Sequence, residues 1–144
     1  MLRELLSRKT LIFDGAMGTR LQKRGLPPGY PPEEWNLSHP EEVRSVHQSY
    51  VDAGADLIQT NTFGANRLRL GKYDLTEKIE DIIHQAVAIA RSTLKPGVTL
   101  VASIGPLGEF LEPFGDLTFQ KAKDVFREQV EILRAEGIEF FHLE

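Results

Sequence analysis

The 144-residue sequence contains no cysteine. Disulfide bonds, thiolate zinc sites and cysteine nucleophiles are therefore excluded within this chain. There is no basic cluster either, and acidic and basic residues are interspersed around a net charge of -4, which argues against a nucleic-acid-binding surface. Apolar runs fall short of the roughly 18 residues of a membrane span, and MLRELLSRK lacks the apolar core of a secretory signal. We expect a cytoplasmic protein without nucleic-acid or membrane partners.

The residues that are present have the composition of one globular domain. Hydrophobic residues make up 41% of the chain and charged residues 26%, and nothing indicates disorder. The proline-rich segment LPPGYPPEEW is predicted to be a loop, since it is short and carries Tyr30 and Trp35, which can pack back onto the protein. We therefore expect residues 1–144 to form a single domain.

A strand followed by a helix recurs along the chain. Strands are predicted at residues 10–14, 55–60, 98–104 and 138–143. Long helices are predicted at residues 40–53, from Thr76 to a stop at Pro96, and from Thr118 to a stop at Gly137. Helical crossovers of this kind join parallel strands, so the fold class is α/β.

Four such steps fit two architectures. A doubly wound sheet of the flavodoxin type has about this size. The other candidate is half of a (β/α)8 TIM barrel, whose complete form typically needs about 250 residues. Open strand edges count against the half barrel, but the sequence ends on a strand with no helix to cover it. We expect the first half of a barrel, with four βα steps.

Polar residues follow each predicted strand, where both architectures bind ligands. They are Asp14 after the first strand, Gln59, Thr60, Asn61 and Thr62 after the second, Ser103 and Gly105 after the third, and Glu144 after the fourth.

The segment LIFDGAMGT places a carboxylate and two glycines directly after an apolar run. It is either a binding site or an ordinary Asp-Gly turn. Two carboxylates at the carboxyl end of one parallel sheet, beside exposed backbone N–H groups, can hold the ammonium and carboxylate of an α-amino acid. The alternatives are a terminal acid at a fraying end for Glu144 and a capped turn for QTNTF.

Three segments resemble the homocysteine S-methyltransferase domain, in the form that cobalamin-dependent methionine synthases and related bifunctional bacterial enzymes carry at their N-terminus. They are LIFDGAMGTRLQKRG, EEWNLSHPEEVRSVHQSYVDAGADLIQTNTFGANRLRL and ASIGPLG. The resemblance implies a TIM barrel of which this chain is the first half. It also implies an enzyme that transfers a methyl group to the thiol of homocysteine to give methionine.

The resemblance implies roles for individual residues. Asp14 corresponds to an acid that binds the amino group of homocysteine, and Glu144 to a second such acid. The backbone of Gly15, Ala16 and Met17 corresponds to the donors for the substrate carboxylate. The second-strand residues correspond to a possible wall of the active site: Gln59, Thr60, Asn61 and Thr62.

The resemblance also implies zinc, held by three cysteines in the second half of the family's barrel, two of them in a Gly-Gly-Cys-Cys segment. This chain has none of them. Its histidines lack ligand spacing and are predicted to be structural: His39, His47, His84 and His142. We expect no catalytic or metal-binding residue here and no activity from the chain alone. Cobalamin and folate can enter through other modules, and the methyl donor stays open.

Strand alternation places His142 on the same face as Glu144. If Glu144 points into the mouth, the His142 ring lies in a layer that barrels fill with branched apolar side chains, and it needs a hydrogen-bond partner or water.

Two functions of other classes also fit a chain of this kind. A half barrel can act as an assembly module that covers its open strand edges with another half. A small doubly wound binding domain, such as a receiver or nucleotide-binding domain, is disfavoured by the lack of a Gly-x-Gly-x-x-Gly segment or a P-loop.

Overall fold

This computed structural model describes residues 2–144 of the chain. They contain three parallel strands and seven α-helices. The strands are β1 (Leu57–Gln59), β2 (Thr99–Ile104) and β3 (Phe141–Leu143). The helices are α1 (Leu2–Arg8), α2 (Gly18–Gln22), α3 (Trp35–Ser38), α4 (Pro40–Asp52), α5 (Arg67–Gly71), α6 (Ile79–Arg91) and α7 (Phe119–Ala135). Single 3-10 turns precede α3 and α6, at Pro32–Glu34 and Thr76–Lys78.

The predicted first strand, residues 10–14, is wrong in extent. It is reduced to one parallel bridge between Phe13 and Leu57. Hydrogen bonds from Asp14 N to Leu57 O (2.9 Å) and from Leu57 N to Ile12 O (3.1 Å) still hold it against β1. A segment with a partner on one side only satisfies half of its backbone groups in a ladder, which limits the regular strand.

The sheet follows the order of the chain. The strand order is β1-β2-β3, with Leu57 opposite Thr99 and Ala102 opposite Phe141. Residues 12–14, here called the Phe13 segment, lie beside β1. A doubly wound sheet reverses its strand order at a switch point. The strands described here show no such reversal, and α4, α6 and α7 connect the Phe13 segment, β1, β2 and β3 in turn.

The three predicted long helices form as α4, α6 and α7, but α6 begins at Ile79, because Thr76–Lys78 is a 3-10 turn. Helix α6 buries Ile82, Ile83 and Ala86 completely, from the apolar stripe spaced three and four residues apart. It ends at Arg91, earlier than the predicted stop at Pro96, and the hydroxyl of Ser92 donates to Ile89 O (2.7 Å) just after it. Helix α7 begins after Thr118, whose hydroxyl accepts a hydrogen bond from Lys121 N (3.2 Å).

The main core lies between the sheet and helices α6 and α7, and includes Ile83, Ala102 and Leu133. A second cluster joins α2, α3 and α4, and Trp35 belongs to it with 5% of its surface exposed. The predicted packing of Trp35 is therefore confirmed, and it anchors the proline-rich loop beside the carboxyl end of the sheet. No helix of the described residues is long and apolar enough to cross a membrane.

Candidate functional site

The carboxyl ends of the strands open into a cleft of about 810 Å³. This volume lies within the range of about 300–1,000 Å³ that is typical of ligand sites. Most of the residues that the sequence singled out line it: Asp14, Gly15, Ala16, Met17, Gln59, Thr60, Asn61, Ser103 and Glu144.

Asp14 has one paired and one unpaired carboxylate oxygen. Its Oδ2 accepts a hydrogen bond from Gln59 N at 2.9 Å, whereas Oδ1 is buried with no hydrogen-bond partner among the described residues. Burial raises the pKa of Asp14 to about 6, and the negative charge of Glu144 adds to this, while the hydrogen bonds from Gln59 act in the opposite direction. A ligand ammonium would supply both the missing donor and the missing positive charge.

Glu144 is fixed in the sheet. Its backbone N–H donates to Ile104 O at 3.0 Å, and its Oε1 accepts a hydrogen bond from Ser103 Oγ at 2.6 Å. Nδ1 of His142 lies 3.6 Å from the same oxygen. These bonds distinguish Glu144 from an acid at a fraying end.

His142 has the hydrogen-bond partner that its position required. Its Nδ1 lies 2.8 Å from Oε1 of Gln59. Because an amide oxygen only accepts, Nδ1 carries the proton in this contact. The His142 ring also stacks on Phe13, with centroids 5.0 Å apart. Gln59 thus connects Asp14, through its backbone, with the strand that carries Glu144.

The backbone after Asp14 is shaped by the ring of Tyr50. A Cβ atom at Gly15 would lie 2.8 Å from Tyr50 Oη, and this hydroxyl donates to Ala16 O at 2.8 Å. Among residues 2–144, none of the backbone N–H groups of Gly15, Ala16 and Met17 donates a hydrogen bond to the protein. Three donors therefore stay available beside the Asp14 carboxylate.

The residues after β1 differ in their exposure to the cleft. Asn61 lines it and also donates from Nδ2 to Pro32 O and Asn36 Oδ1, both at 2.9 Å, which ties the proline-rich loop to the sheet. Thr62 does not reach the cleft: it is fully buried and its hydroxyl donates to Ser103 O at 2.8 Å. The hydroxyls of Thr60 and Thr62 lie 2.6 Å apart. Thr62 thus supports the cleft from behind.

Sequence analysis missed three charged residues of the cleft: Glu33, Arg69 and Lys72. Glu33 is 4% exposed, and its Oε1 accepts a hydrogen bond from Gly64 N at 2.6 Å. Nothing in the spacing of PPEEW marks this glutamate for burial. Arg69 had a local signal in the sequence, because Asn66 is a typical helix cap. Asn66 accepts hydrogen bonds from Leu68 N (3.1 Å) and Arg69 N (3.0 Å), and the helix that it caps, α5, follows β1 in the chain.

The remaining histidines lie away from Asp14 and Glu144. The His39 ring stacks on Trp35 with centroids 4.2 Å apart, His47 is fully buried in α4, and His84 contacts Glu136 on the surface at 3.0 Å. Within residues 2–144, no group of three or more His, Cys, Asp or Glu side chains is arranged to hold a metal ion.

Comparison with known proteins identifies the family of the chain. The family model for homocysteine S-methyltransferase matches residues 11–144. The chain belongs to the homocysteine S-methyltransferase family. It is 35% identical over 141 residues to a methionine synthase of Mycobacterium leprae, covering 88% of this chain and 11% of that protein. It is 32% identical over 146 residues to betaine–homocysteine S-methyltransferase 1 of Sus scrofa, covering 97% of this chain and 51% of the relative.

Solved structures of this family share the fold. The metallated form of the Escherichia coli homocysteine methyltransferase MmuM matches with a TM-score of 0.79 and 23% identity, over 99% of this chain and 56% of that one. The oxidised form matches with a TM-score of 0.80 and 26% identity, over 97% and 55%. The family member described here therefore has the α/β fold of these methyltransferases and spans about half the length of MmuM.

Proposed function

We propose that this chain is the homocysteine-binding half of a methyltransferase that moves a methyl group to the homocysteine thiol to give methionine. The observation that carries the proposal is the geometry at Asp14. A buried carboxylate oxygen without a partner lies in a cleft with a second acid, Glu144, and with three free backbone donors. This arrangement matches the ammonium and carboxylate of an α-amino acid.

Each end of the substrate has a partner in this proposal. The ammonium binds between Asp14 Oδ1 and the Glu144 carboxylate, and the substrate carboxylate accepts from the N–H groups of Gly15, Ala16 and Met17. Gln59 keeps the second oxygen of Asp14 occupied, so that Oδ1 is the one left for the ligand. One positive group between two acids reduces the repulsion that Glu144 exerts on Asp14.

Activation of the sulfur is assigned to residues outside this chain. A thiol with a pKa of about 8.5 is mostly protonated at neutral pH, and the thiolate is the nucleophile. The family resemblance implies zinc for this step, but the described residues offer no arrangement of ligands that fits a metal ion. Cobalamin and folate, where they take part, are likewise assigned to other modules. We expect the chain alone to be inactive.

The half-barrel architecture is part of the proposal. It is supported by the sequential parallel sheet and by the chain's coverage of about half of betaine–homocysteine S-methyltransferase 1 and MmuM. Apolar side chains at the two edges of the sheet are exposed, with Ile12 beside the Phe13 bridge at 60% and Leu143 of β3 at 74%. Such edges favour the remainder of the barrel as a partner, or a second half barrel in the alternative function as an assembly module.

Calorimetric titration of the protein with L-homocysteine tests the binding role. We expect saturable binding that Asp14→Asn and Glu144→Gln each weaken by about tenfold or more, which corresponds to the loss of a charge-assisted hydrogen bond. Glu139→Gln is the matched control, because Glu139 is exposed and lies outside the cleft. Unchanged affinity in both cleft variants contradicts the proposal.

Two further measurements test its other parts. A methyl-transfer assay of the isolated 144 residues with zinc is expected to show no turnover, and appreciable turnover contradicts the assignment of sulfur activation to other residues. The mass in solution separates the alternatives for the strand edges, because a dimer joined through the Phe13 segment or β3 favours the assembly module.

A further inference from the structure

The cleft contains a second charged region, apart from Asp14 and Glu144. Arg69 and Lys72 line it as well. The charge that shifts the pKa of Asp14 is that of Glu144. Burial raises the pKa of Glu33, and Arg69 acts against this effect. Arg69 therefore acts on Glu33, whereas the charge that acts on Asp14 is that of Glu144.

Arg69 is held in a slot between the loops that follow β1 and β2. Its guanidinium carbon lies 5.4 Å from the centroid of the Phe63 ring. A Cβ atom at Gly64 would lie 3.0 Å from Arg69 Nε, and one at Gly108 would lie 3.6 Å from Arg69 Cγ. Two glycines thus make room for the arginine side chain, and an aromatic ring supports its charged end.

The hydrogen-bonding capacity of Arg69 is mostly unused. A guanidinium has five N–H donors, and Arg69 donates a single long bond, to Pro106 O at 3.4 Å. No carboxylate of the described residues lies within ion-pairing distance of it. Arg67, two residues earlier in the same helix, instead donates to both oxygens of Glu128, at 3.1 and 2.7 Å. Arg69 is the arginine of α5 whose donors are left for a ligand.

The surroundings of Arg69 add charge and a flat surface. Lys72 lines the same cleft and makes only a distant contact of 3.9 Å with Glu109. The rings of Tyr30 and Tyr73 also line it and form an edge-to-face pair with centroids 5.7 Å apart. The positive charges of Arg69 and Lys72 suit the charged group of an anion, and the two tyrosine rings suit a flat or apolar body attached to it.

We propose that Arg69 recognises an anionic group, a carboxylate or a phosphate, on the second substrate of the cleft. Lys72 adds a weaker positive charge, and the rings of Phe63, Tyr30 and Tyr73 form the wall on which the body of that molecule packs. A cleft of about 810 Å³ is larger than one small amino acid fills. The second substrate is the methyl donor, and in this respect the inference rests on the proposed function.

Three small probes test the site directly: benzoate, phenyl phosphate and the neutral benzamide. In titrations followed by NMR of the protein, benzoate or phenyl phosphate is expected to bind more tightly than benzamide and to shift the amide signals of Gly64, Arg69 and Gly108. Arg69→Met is expected to weaken binding of the anions by about tenfold, as for loss of a charge-assisted pair. Arg69→Lys keeps the charge without the planar fork. Its affinity for the anions is expected to lie between that of the unaltered protein and that of Arg69→Met.

Arg67→Met is the matched control, because it removes the same side chain from the same helix outside the cleft. Equal binding of benzoate and benzamide to the unaltered protein overturns the inference without relying on any variant. So does an equal loss of anion binding in Arg67→Met and Arg69→Met. Tighter binding of phenyl phosphate than of benzoate identifies a phosphate as the anion, and the reverse order identifies a carboxylate.

A homocysteine titration of the same samples separates this inference from the proposed function. Arg69→Met is expected to lose benzoate affinity and to keep homocysteine affinity. If homocysteine does not bind while benzoate does, the proposed function fails and the anion site stands. If homocysteine binds and the anions do not, the proposed function stands and the inference about Arg69 is overturned.

Discussion

Asp14 accepts a hydrogen bond from the backbone of Gln59 at 2.9 Å through one oxygen and leaves its other oxygen buried without a partner. Burial of an unsatisfied acceptor costs about 1–3 kcal/mol. The unliganded protein therefore carries a cost at this position that a bound ammonium would remove.

Homocysteine binding is expected to strengthen as the pH rises through about 6. Burial raises the pKa of Asp14 to about 6, and only the ionised carboxylate attracts the ammonium. Calorimetric titrations across this range would show the transition, and Asp14→Asn removes it. Glu144→Gln is expected to move it to lower pH, because a neighbouring negative charge is lost. Constant affinity across this pH range argues against Asp14 as the residue that binds the ammonium.

Asp14→Asn is expected to stabilise the unliganded protein at pH 8. The pKa of Asp14 is raised from 3.8 to about 6 on folding, so its contribution to stability is complete below pH 3.8 and is lost as the pH rises through 6. The full difference is about 3 kcal/mol, and the amide recovers part of it. Thermal unfolding at pH 8 measures the gain, and a lower melting temperature contradicts the account.

His47 is expected to make stability depend on pH in the opposite direction. The ring is fully buried with both nitrogens unpaired, and burial lowers its pKa from 6.5 to about 4. Stability is therefore complete above pH 6.5 and falls as the pH decreases toward 4, by about 3 kcal/mol in total. Denaturant unfolding at several pH values measures this slope.

His47→Leu is the variant for this test, since it removes the titrating ring from an apolar position. It is expected to abolish the loss of stability between pH 6.5 and 4. The control is His84→Gln, because His84 is exposed on the outer surface of α6. If His84→Gln removes the slope and His47→Leu keeps it, the assignment to His47 is wrong.

Gly15→Ala is expected to destabilise the protein by about 1–3 kcal/mol, as overpacking does. The added methyl would lie within 3.0 Å of three atoms of the Tyr50 side chain, whose hydroxyl donates to Ala16 O. Gly18→Ala is the matched control, because the nearest atom to its added methyl is Pro32 Cγ at 3.6 Å. In a double-mutant cycle, Tyr50→Leu should offset part of the cost of Gly15→Ala but none of Gly18→Ala.

The fold was predictable where a local pattern was decisive. The stripe of α6 and the cap at Thr118 are short-range signals, and the structure confirms both. The extent of the first strand was not, because a ladder depends on neighbours on both sides, and the Phe13 segment has β1 on one side only. The strand predicted at residues 138–143 is likewise shorter in the structure. It is limited to Phe141–Leu143, the residues that pair with β2.

The candidate site was predictable at the strand ends and not in its loops. Asp14 and Glu144 were identified because parallel strands end at one edge of a sheet. Glu33 was missed because its burial depends on a bond to Gly64 N, 31 residues away. Thr62 follows the same strand end as Thr60, yet its side chain turns to Ser103 O behind the cleft, and spacing alone does not distinguish the two.

The central claim is that this chain recognises the amino-acid end of homocysteine and leaves the sulfur to other residues. Calorimetric comparison of two analogues with the isolated chain tests it most directly: L-2-aminobutyrate, which lacks the thiol, and 4-sulfanylbutanoate, which lacks the amino group. The account predicts that L-2-aminobutyrate binds about as tightly as homocysteine and that 4-sulfanylbutanoate binds at least about tenfold more weakly. Tight binding of 4-sulfanylbutanoate with no binding of L-2-aminobutyrate would contradict it.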